Sequence, residues 1–323
     1  MRVTLLAGGF GGAKMAHGFA LAGEARANAA AEPLELTVVG NVGDDFELHG
    51  LHISPDLDTL MYTLAGLANR ATGWGVADET WSASEMLERY GQPTWFKLGD
   101  RDLATHLVRT ARLREGRSLT EVTDELRRAL GVRATLLPAT DHRLRTRLRS
   151  AAGWLDFQDW FVRRGHRDEV LELDFDGAPD ARPTDAVLAA VADADLIVIA
   201  PSNPFVSIAP MLALPGLADA LRAARAPGVA VSPIVGGTAL RGPAEALLRS
   251  LSADRGAAGV ARYYARGWPG LVDIFVLDES DAAEASAVEQ AGLRPVVAPA
   301  VMTSDDDRRV LAERIVRAAG SAR

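Results

Sequence analysis

The 323-residue chain contains no cysteine. Disulfide bonds, thiolate zinc sites and cysteine nucleophiles are therefore excluded, and any chemistry must come from oxygen and nitrogen groups. Basic residues are in the minority as well, with 35 Lys and Arg against 43 Asp and Glu and a net charge of −8. Because a nucleic-acid surface needs clustered positive charge, this balance argues against a nucleic-acid partner, and an anionic ligand requires a local site.

Long apolar runs are also missing. No stretch approaches the roughly 18 apolar residues of a membrane span, and no signal peptide with a cleavage site follows Met1. We therefore expect a cytoplasmic protein without a membrane segment. Hydrophobic residues make up 48% of the chain and charged residues 24%, which is typical of a globular protein with a large core. The length permits two domains or one long α/β unit.

The N-terminal segment predicts a strand, a glycine turn and a helix. The apolar run 3–7 is followed by Gly8, Gly9, Gly11 and Gly12. Such a turn lets backbone N–H groups approach a phosphate, and the helix N-terminus adds partial positive charge. The spacing matches neither the dinucleotide-binding fingerprint nor the P-loop pattern. Two interpretations stay open: a phosphate-binding turn, or a tight turn whose glycines only allow close helix packing.

An acidic stretch follows the second predicted strand, residues 36–39. It contains four aspartates and two histidines within residues 44–58. Carboxylates held on a turn suit a hard cation such as Mg²⁺, which keeps several waters and is shared with substrate phosphates. The alternative is a solvated loop in which Asp56 or Asp58 only caps a helix predicted to begin at Thr59.

The middle of the chain differs from the two ends. Residues 61–181 are rich in Arg, Leu and Glu and have helical periodicity at 81–90 and 118–130, which predicts a mainly helical insertion. Within it, Asp100 or Asp102 is predicted to be the N-cap of an amphipathic helix.

After residue 184 the alternation of strands and helices resumes. An apolar strand at 195–200 leads into Ser202 and Asn203, which lie between two prolines, and a strand near 229–235 leads into Gly236. Ser202 and Asn203 are candidates for hydrogen bonds to phosphate or ribose, or they satisfy their own turn. The pattern predicts an α/β fold with a doubly wound, mostly parallel, Rossmann-like sheet.

Residues 1–60 and 182–323 would form this nucleotide-binding core, with 61–181 as the insertion. Glycine or polar loops follow residues 7, 39, 200 and 235. Because a doubly wound sheet places such loops along one edge, we expect them to converge on a nucleotide with its metal ion.

Seven segments in the same order resemble the motifs of the CofD/FbiA family. Members are phospholactate-type transferases of coenzyme F-420 biosynthesis. The resemblance implies transfer of a phosphate-linked three-carbon acid from a guanosine diphosphate conjugate to the terminal ribityl hydroxyl of the deazaflavin Fo, with release of GMP. It also implies Mg²⁺ dependence and a homodimer. The segments are 8–14, 41–45, 55–59, 97–106, 157–160, 200–204 and 232–236.

Residue by residue, the resemblance places the Fo contacts on Asp58 and Lys97 and the metal contact on Asp45. Asp58 would orient or deprotonate the attacking hydroxyl; as a base it would need burial or a negative neighbour. The chain has Asp141-His142 where relatives often have two aspartates, so Asp141 is a weaker candidate.

Two other classes of protein are considered. A non-enzymatic sugar-nucleotide-binding regulator of the YvcK type would share the glycine turn and the core, but we would not expect the Asp58 and Lys97 motifs together in it. An NAD-dependent dehydrogenase fits less well, because the glycine spacing differs and no acidic residue ends the second strand. No motif distinguishes lactyl, phosphoenolpyruvyl and glyceryl donors.

Overall fold

The computed structural model describes residues 1–240, 242–252 and 254–320. Over these residues the chain forms fourteen strands and twelve α-helices. The strands are β1 (Arg2–Ala7), β2 (Glu35–Gly40), β3 (Phe46–Leu48), β4 (Leu51–Ile53), β5 (Thr135–Pro138), β6 (Arg145–Ser150), β7 (Gly153–Asp156), β8 (Glu172–Asp176), β9 (Leu196–Ile199), β10 (Gly228–Val231), β11 (Ile234–Val235), β12 (Thr238–Ala239), β13 (Ile274–Leu277) and β14 (Arg294–Val297). The helices are α1 (Gly9–Asn28), α2 (Pro55–Leu64), α3 (Ser82–Arg89), α4 (Asp100–Arg114), α5 (Leu119–Ala129), α6 (Asp185–Ala192), α7 (Ala209–Leu212), α8 (Leu217–Ala223), α9 (Ala244–Ser252), α10 (Gly256–Gly267), α11 (Ala285–Gln290) and α12 (Asp305–Gly320).

Seven of the described strands form one parallel sheet in the order β14-β13-β10-β9-β1-β2-β5. From β1 the chain adds β2 and β5 on one side, and β9, β10, β13 and β14 on the other. The predicted doubly wound, Rossmann-like α/β fold is thus confirmed. The strand order reverses between β1 and β9, and parallel sheets of this kind bind ligands at that reversal, beyond the carboxyl ends of the strands.

The central strands are apolar because both faces of the sheet are covered. β9, β10 and β13 are buried at every position, as expected for parallel strands between layers of helices. The helix α1 packs against α12 and α2, with Phe19 and Leu311 fully buried. No single helix among the described residues is long and apolar enough to cross a membrane; the bent pair 204–212 and 217–223 passes only when both parts are counted together.

The segment 61–181 has its α-helices in its first part, and a short π-helix (Asp159–Arg163) and a 3-10 helix (Ala178–Asp180) lie in its second part. It contains α3, α4 and α5, then β5, which joins the central sheet beside β2, and finally the antiparallel sheet β7-β6-β8. The helical periodicity found in the sequence corresponds to α3 and α5, and Ser118 caps α5 in a capping box with Glu121. β5 was not predicted, because four residues are too few to establish a period.

The predicted cap at Asp100 or Asp102 is wrong. Gly99 is the N-cap of α4 and has no side chain to offer, while Glu79 accepts the N–H groups of Arg101 and Asp102 at 3.0 and 2.8 Å. Asp100 instead accepts the N–H groups of residues 82 and 83 at the start of α3. Glu79, which precedes α3, therefore caps the start of α4, and Asp100, the first residue of α4, caps the start of α3. A capping rule based on neighbouring residues does not anticipate this arrangement.

The acidic stretch is more ordered than a loop. β3 and β4 form a hairpin whose turn residues, His49 and Gly50, both have positive φ, as a two-residue turn of this kind requires. Helix α2 then begins at Pro55, four residues before the predicted start at Thr59. Proline suits the first helical position because its missing N–H would have no partner there.

Candidate active site

A cavity of about 900 Å³ lies at the carboxyl ends of the central strands, where the strand order reverses. Three of the four loops predicted to converge contribute to its wall, with residues 8–11, Asp44 and 201–203. Near the fourth, the wall is formed by Ser232, Pro233 and Val235, which precede the predicted glycine loop at Gly236. A shallower depression beside β14 lacks the glycine turn and the carboxylates. The large cavity is therefore the candidate active site.

The glycine turn and the loop after β9 are joined by direct hydrogen bonds. The N–H of Gly8 donates to Ser202 Oγ at 3.0 Å, and the Ser202 hydroxyl donates to the Gly8 carbonyl at 2.7 Å. A Cβ on Gly11 would lie 2.2 Å from the carbonyl oxygen of Pro201, and one on Gly12 would lie 2.6 Å from Ser202 Oγ. The glycines therefore serve close packing at this turn, whatever ligand it contacts.

Asn203 has one amide atom left for a ligand. Its Oδ1 accepts the N–H groups of Phe205 and Val206 at 2.9 and 3.4 Å, so the side chain caps its own turn. Its Nδ2 is buried and has no hydrogen-bond partner in the described structure. The residue lines the cavity, so a ligand oxygen would satisfy this donor.

The carboxylates of Asp44, Asp45 and Asp56 lie between the glycine turn and α2, and we call this group the carboxylate floor. Asn41 Nδ2 donates to Asp44 Oδ1 at 3.2 Å and to Asp56 Oδ2 at 3.0 Å, which brings these two side chains together at the cavity wall. The N–H of Gly9 donates to Asp56 Oδ1 at 2.6 Å. Asp45 lies behind them and is 2% exposed.

The environment of these carboxylates fits a hard cation. Burial, together with the charges of Asp56 and Asp45, raises the pKa of Asp44 well above its usual value. Burial also raises the pKa of Asp56 to about 6, against hydrogen bonds from Asn41 and Gly9. The Oδ2 of Asp45 accepts from Ser54 and lies 3.0 Å from His52 Nε2, but its Oδ1 is buried without a partner. Buried, uncompensated carboxylate oxygens are the donor set that Mg²⁺ prefers.

The raised pKa of Asp56 predicts an unusual pH dependence of stability in the metal-free protein. Between pH 3.8 and about 6 the folded state holds a proton on Asp56 that the unfolded state has released. The free energy of unfolding should therefore fall as the pH rises through this window, by a contribution on the order of 3 kcal/mol. Asp56→Asn cannot ionise, so its denaturation midpoints should show a weaker fall than wild type. Identical pH profiles for both proteins would contradict the shift.

A charged network lies behind Asp58, which lines the cavity and is 4% exposed. Arg109 donates through Nη1 to Asp58 Oδ2 at 3.0 Å and through Nη2 to Oδ1. His106 Nδ1 lies 3.3 Å from Arg109 Nη1 and 3.7 Å from Asp58 Oδ2. Asp58 is thus buried, one of the two conditions expected for its use as a base, while its neighbour is a cation and not the negative charge that was the other.

The network continues to α2. His106 Nε2 is 3.3 Å from Asp102 Oδ1, and the Tyr62 hydroxyl donates to the same oxygen at 2.8 Å. Although burial acts to raise the pKa of Asp102, the interactions with His106 and Tyr62 outweigh it and lower the pKa. Ligand atoms of Asp58, Asp102 and His106 lie within 4.8 Å of one another and could hold a metal ion, although Arg109 already neutralises Asp58.

Aromatic side chains form a further part of the wall. Trp95 and Phe96 line it beside Lys97, whose Nζ lies 5.9 Å from the ring centre of Trp81. On the other side, Phe157 and Phe161 stack with ring centres 5.3 Å apart. These surfaces suit a planar aromatic ligand.

The structure brings most of the predicted site residues to one cavity. Gly8, Gly9, Gly11, Asp58, Lys97, Ser202 and Asn203 line it. Four other candidate residues do not line the cavity. Asp45 lies behind the wall, and Gly12 packs on Ser202. Gly236 lies in the β11–β12 turn, where its N–H donates to Asp281. Asp141 is exposed and accepts the N–H of Thr120 in α5.

Sequence reasoning missed several polar residues of the site. Asp102, His106 and Arg109 recur at a helical spacing of four and three residues on an otherwise amphipathic helix, a pattern that places them on one face. This helical spacing of polar side chains was the signal that the sequence offered. Asn41 and Gln158 lie in segments that carry the family resemblance, but the local pattern gave them no role, because the contacts that bury them join segments distant in sequence.

The chain is similar in sequence to characterised transferases. The family model described as "2-phospho-L-lactate transferase CofD" matches residues 3–316. The phosphoenolpyruvate transferase of Mycobacterium avium is 44% identical, with 94% of each chain covered. That of Kitasatospora aureofaciens is 43% identical over 94% of this chain and 93% of the relative, and that of Mycobacterium tuberculosis H37Rv is 45% identical over 89% and 91%.

The fold has a solved counterpart as well. A UPF0052 family protein from Bacillus halodurans superposes with a TM-score of 0.65 at 16% sequence identity and covers 98% of both chains. At that identity the likeness concerns the fold alone. The family match, by contrast, extends over almost the whole chain and over the segments that build the cavity. The protein belongs to the CofD family of 2-phospho-L-lactate transferases and is a transferase.

Proposed function

We propose that the protein transfers a phosphate-linked three-carbon acid from a guanosine diphosphate conjugate to the ribityl hydroxyl of Fo, releasing GMP in coenzyme F-420 biosynthesis. The observation that carries the proposal is the arrangement of one cavity. The glycine turn and Asn203 line one part of it, which we call the inner end. Buried carboxylates line a second part, and Asp58, Lys97 and aromatic side chains line a third, which we call the outer part. A diphosphate and a planar acceptor therefore find suitable surfaces in the same cavity.

The donor is assigned to the inner end. The helix α1 begins at Gly9, so its N-terminus contributes partial positive charge to that part of the cavity. Asn203 Nδ2 supplies an unpaired donor, and Lys14 lines the same wall with its ammonium 4.6 Å from the ring centre of Phe10. These groups supply donors and positive charge for phosphate oxygens.

Magnesium is assigned to the carboxylate floor. Asp44 and Asp56 face the cavity, and Asp45 offers its unpartnered Oδ1 from behind. One or two carboxylates together with substrate phosphates are a common environment for Mg²⁺. When bound, the ion would neutralise the charge that develops on the diphosphate.

The acceptor is assigned to the outer part. Asp58 accepts a hydrogen bond from the terminal ribityl hydroxyl. This contact orients the hydroxyl oxygen towards the phosphorus that carries the three-carbon acid. The new P–O bond forms to that oxygen, and the bridging P–O bond breaks with its electron pair going to GMP. The hydroxyl proton leaves through Asp58 to solvent or to the departing phosphate. The protein thus contributes mainly position and charge.

Two substitutions separate the two halves of the cavity. Lys97→Ala should weaken Fo binding by about tenfold and spare GDP, since a surface ion pair or cation–π contact contributes on the order of 1 kcal/mol. Asn203→Asp keeps the oxygen that caps its turn but replaces the free donor with negative charge, so it should weaken GDP binding and spare Fo. Isothermal titration calorimetry of both ligands measures this. Weaker GDP binding by the Lys97 variant would reverse the assignment.

The identity of the donor is tested by product mass. Purified protein is incubated with Fo, Mg²⁺ and the lactyl, phosphoenolpyruvyl or glyceryl conjugate of guanosine diphosphate in turn. We expect one conjugate to give a mass increase on Fo equal to its phosphorylated acid. Product from none of the three would contradict the proposed reaction.

The family resemblance also supports a cytoplasmic homodimer. Light scattering coupled to size-exclusion chromatography tests the dimer, for which twice the chain mass of 34.3 kDa is expected. A monomer mass at working concentrations would contradict it.

A further inference from the structure

Arg109 is buried beside the cavity and has no part in the transfer chemistry described so far. It is 1% exposed, and its guanidinium contacts both oxygens of Asp58. Removing a guanidinium from water is costly unless it is paired with good geometry, and a two-point contact with a carboxylate has that geometry. Arg109 is the most deeply buried arginine among the described residues, and it contacts the residue assigned to the ribityl hydroxyl.

The position of Arg109 is itself fixed. Nη1 of Arg109 lies 3.3 Å from His106 Nδ1, so His106 accepts there when its proton is on Nε2. Nε2 of that tautomer lies 3.3 Å from Asp102 Oδ1, a charge contact without hydrogen-bond geometry, and Tyr62 donates to Asp102 from α2. The side chains of α4 therefore form a relay of contacts that ends at Asp58.

We propose that Arg109 is a positioning residue that holds the Asp58 carboxylate in a fixed orientation for the acceptor hydroxyl. An ionised carboxylate has about four acceptor positions, and Arg109 occupies one on each oxygen. The remaining positions are available towards the cavity, which Asp58 lines. The inference rests on the proposed function, because it assumes that Asp58 receives a hydroxyl to be transferred.

The same contact supplies Asp58 with a positive charge that a metal ion could otherwise provide. Asp58, Asp102 and His106 have ligand atoms close enough for one. The guanidinium already supplies a positive charge at Asp58 and brings donors in a planar fork that a metal lacks. We therefore assign the proposed magnesium ion to Asp44 and its neighbours and not to this group.

A double-mutant cycle tests whether Arg109 acts through Asp58. The variants are Asp58→Asn, Arg109→Met and the double variant; methionine keeps the length of the apolar stem. If Arg109 acts only by positioning Asp58, Arg109→Met lowers kcat on the order of a hundredfold in the wild-type background and changes it less than about twofold in the Asp58→Asn background. The KM for the guanosine conjugate should stay within about threefold of wild type in all variants.

The double variant also controls for folding. Arg109→Met alone leaves a buried unpaired carboxylate, whereas the double variant leaves neither charge, so it should fold at least as well as either single variant. Multiplicative losses of kcat in the cycle would mean that Arg109 acts independently of Asp58 and would overturn the inference.

Rescue by free guanidinium separates positioning from general destabilisation. In Arg109→Ala, guanidinium at low, non-denaturing concentration should restore at least tenfold of the lost kcat, and methylammonium should not, because it lacks the planar fork. The matched control is Arg308→Ala. Arg308 is 4% exposed on α12 and lies 3.0 Å from His17 Nδ1 and 3.3 Å from Asp305, away from the cavity. Guanidinium should leave its kcat unchanged.

The outcomes distinguish this inference from the proposed function. If wild-type protein forms no product with any conjugate, the proposed function fails. If wild type turns over and Arg109→Met keeps normal kcat, only the positioning role fails. If Arg109→Ala and Arg308→Ala lose kcat equally and neither responds to guanidinium, Arg109 has only a structural role and the inference is overturned.

Discussion

Asp58→Asn is expected to lower kcat on the order of a hundredfold or more and to leave the affinity for GDP within about threefold of wild type. Asparagine keeps the size of the side chain but has only one acceptor oxygen. Either its NH₂ group faces Arg109, which is also a donor, or it faces the ribityl hydroxyl. The hydroxyl then loses its fixed acceptor at the moment when the P–O bond forms, while the inner end of the cavity is untouched.

The measurement is a set of initial rates at saturating Fo, together with calorimetry of GDP binding. Because the substitution leaves Arg109 buried without its carboxylate, thermal unfolding is recorded in parallel, and rates are taken well below the midpoint. Asp141→Asn is the matched control, since Asp141 is an exposed aspartate that does not line the cavity. Normal kcat in Asp58→Asn would remove Asp58 from the reaction.

Asp45→Ala is expected to abolish Mg²⁺-dependent turnover, with kcat reduced by about two to three orders of magnitude. The substitution removes the buried, unpartnered Oδ1 and the oxygen that accepts from Ser54. Rates as a function of Mg²⁺ concentration measure the effect, and electron paramagnetic resonance of bound Mn²⁺ reports metal affinity without turnover.

Two further variants locate the metal ligands more finely. Asp44→Asn and Asp56→Asn alter the carboxylates that face the cavity and should each weaken Mn²⁺ binding. If Asp45→Ala binds Mn²⁺ as wild type and keeps its Mg²⁺ dependence, Asp45 is not a metal residue. The cavity-facing pair would then be the remaining candidates.

The sequence was sufficient for the parts of the fold that depend on local pattern. The strands that became β1, β2 and β9 are buried on both faces, so their apolar runs were visible without any knowledge of their neighbours. Because parallel strands place the loops at their carboxyl ends along one edge of the sheet, the loops after these strands were predicted to meet. They line one cavity.

Features that depend on tertiary contacts were not predictable in the same way. β5 is a strand because β2 offers it an edge, and Asp100 caps α3 because the two helix starts meet in space. The partner of Asp58 lies 51 residues away in the chain. The resemblance to a family identified Asp58 and Lys97, while the buried cation that fixes Asp58 emerged only from the structure.

The central claim, that this protein is a transferase acting on Fo, is tested most directly by one stoichiometric assay. Wild-type protein is mixed with Mg²⁺, Fo and the donor conjugate selected by product mass, and GMP and modified Fo are quantified by chromatography over time. We expect the two products to appear in equal amounts, with none when Fo is omitted. Binding of the conjugates without release of GMP in the presence of Fo and Mg²⁺ would contradict the account and favour a nucleotide-binding regulator.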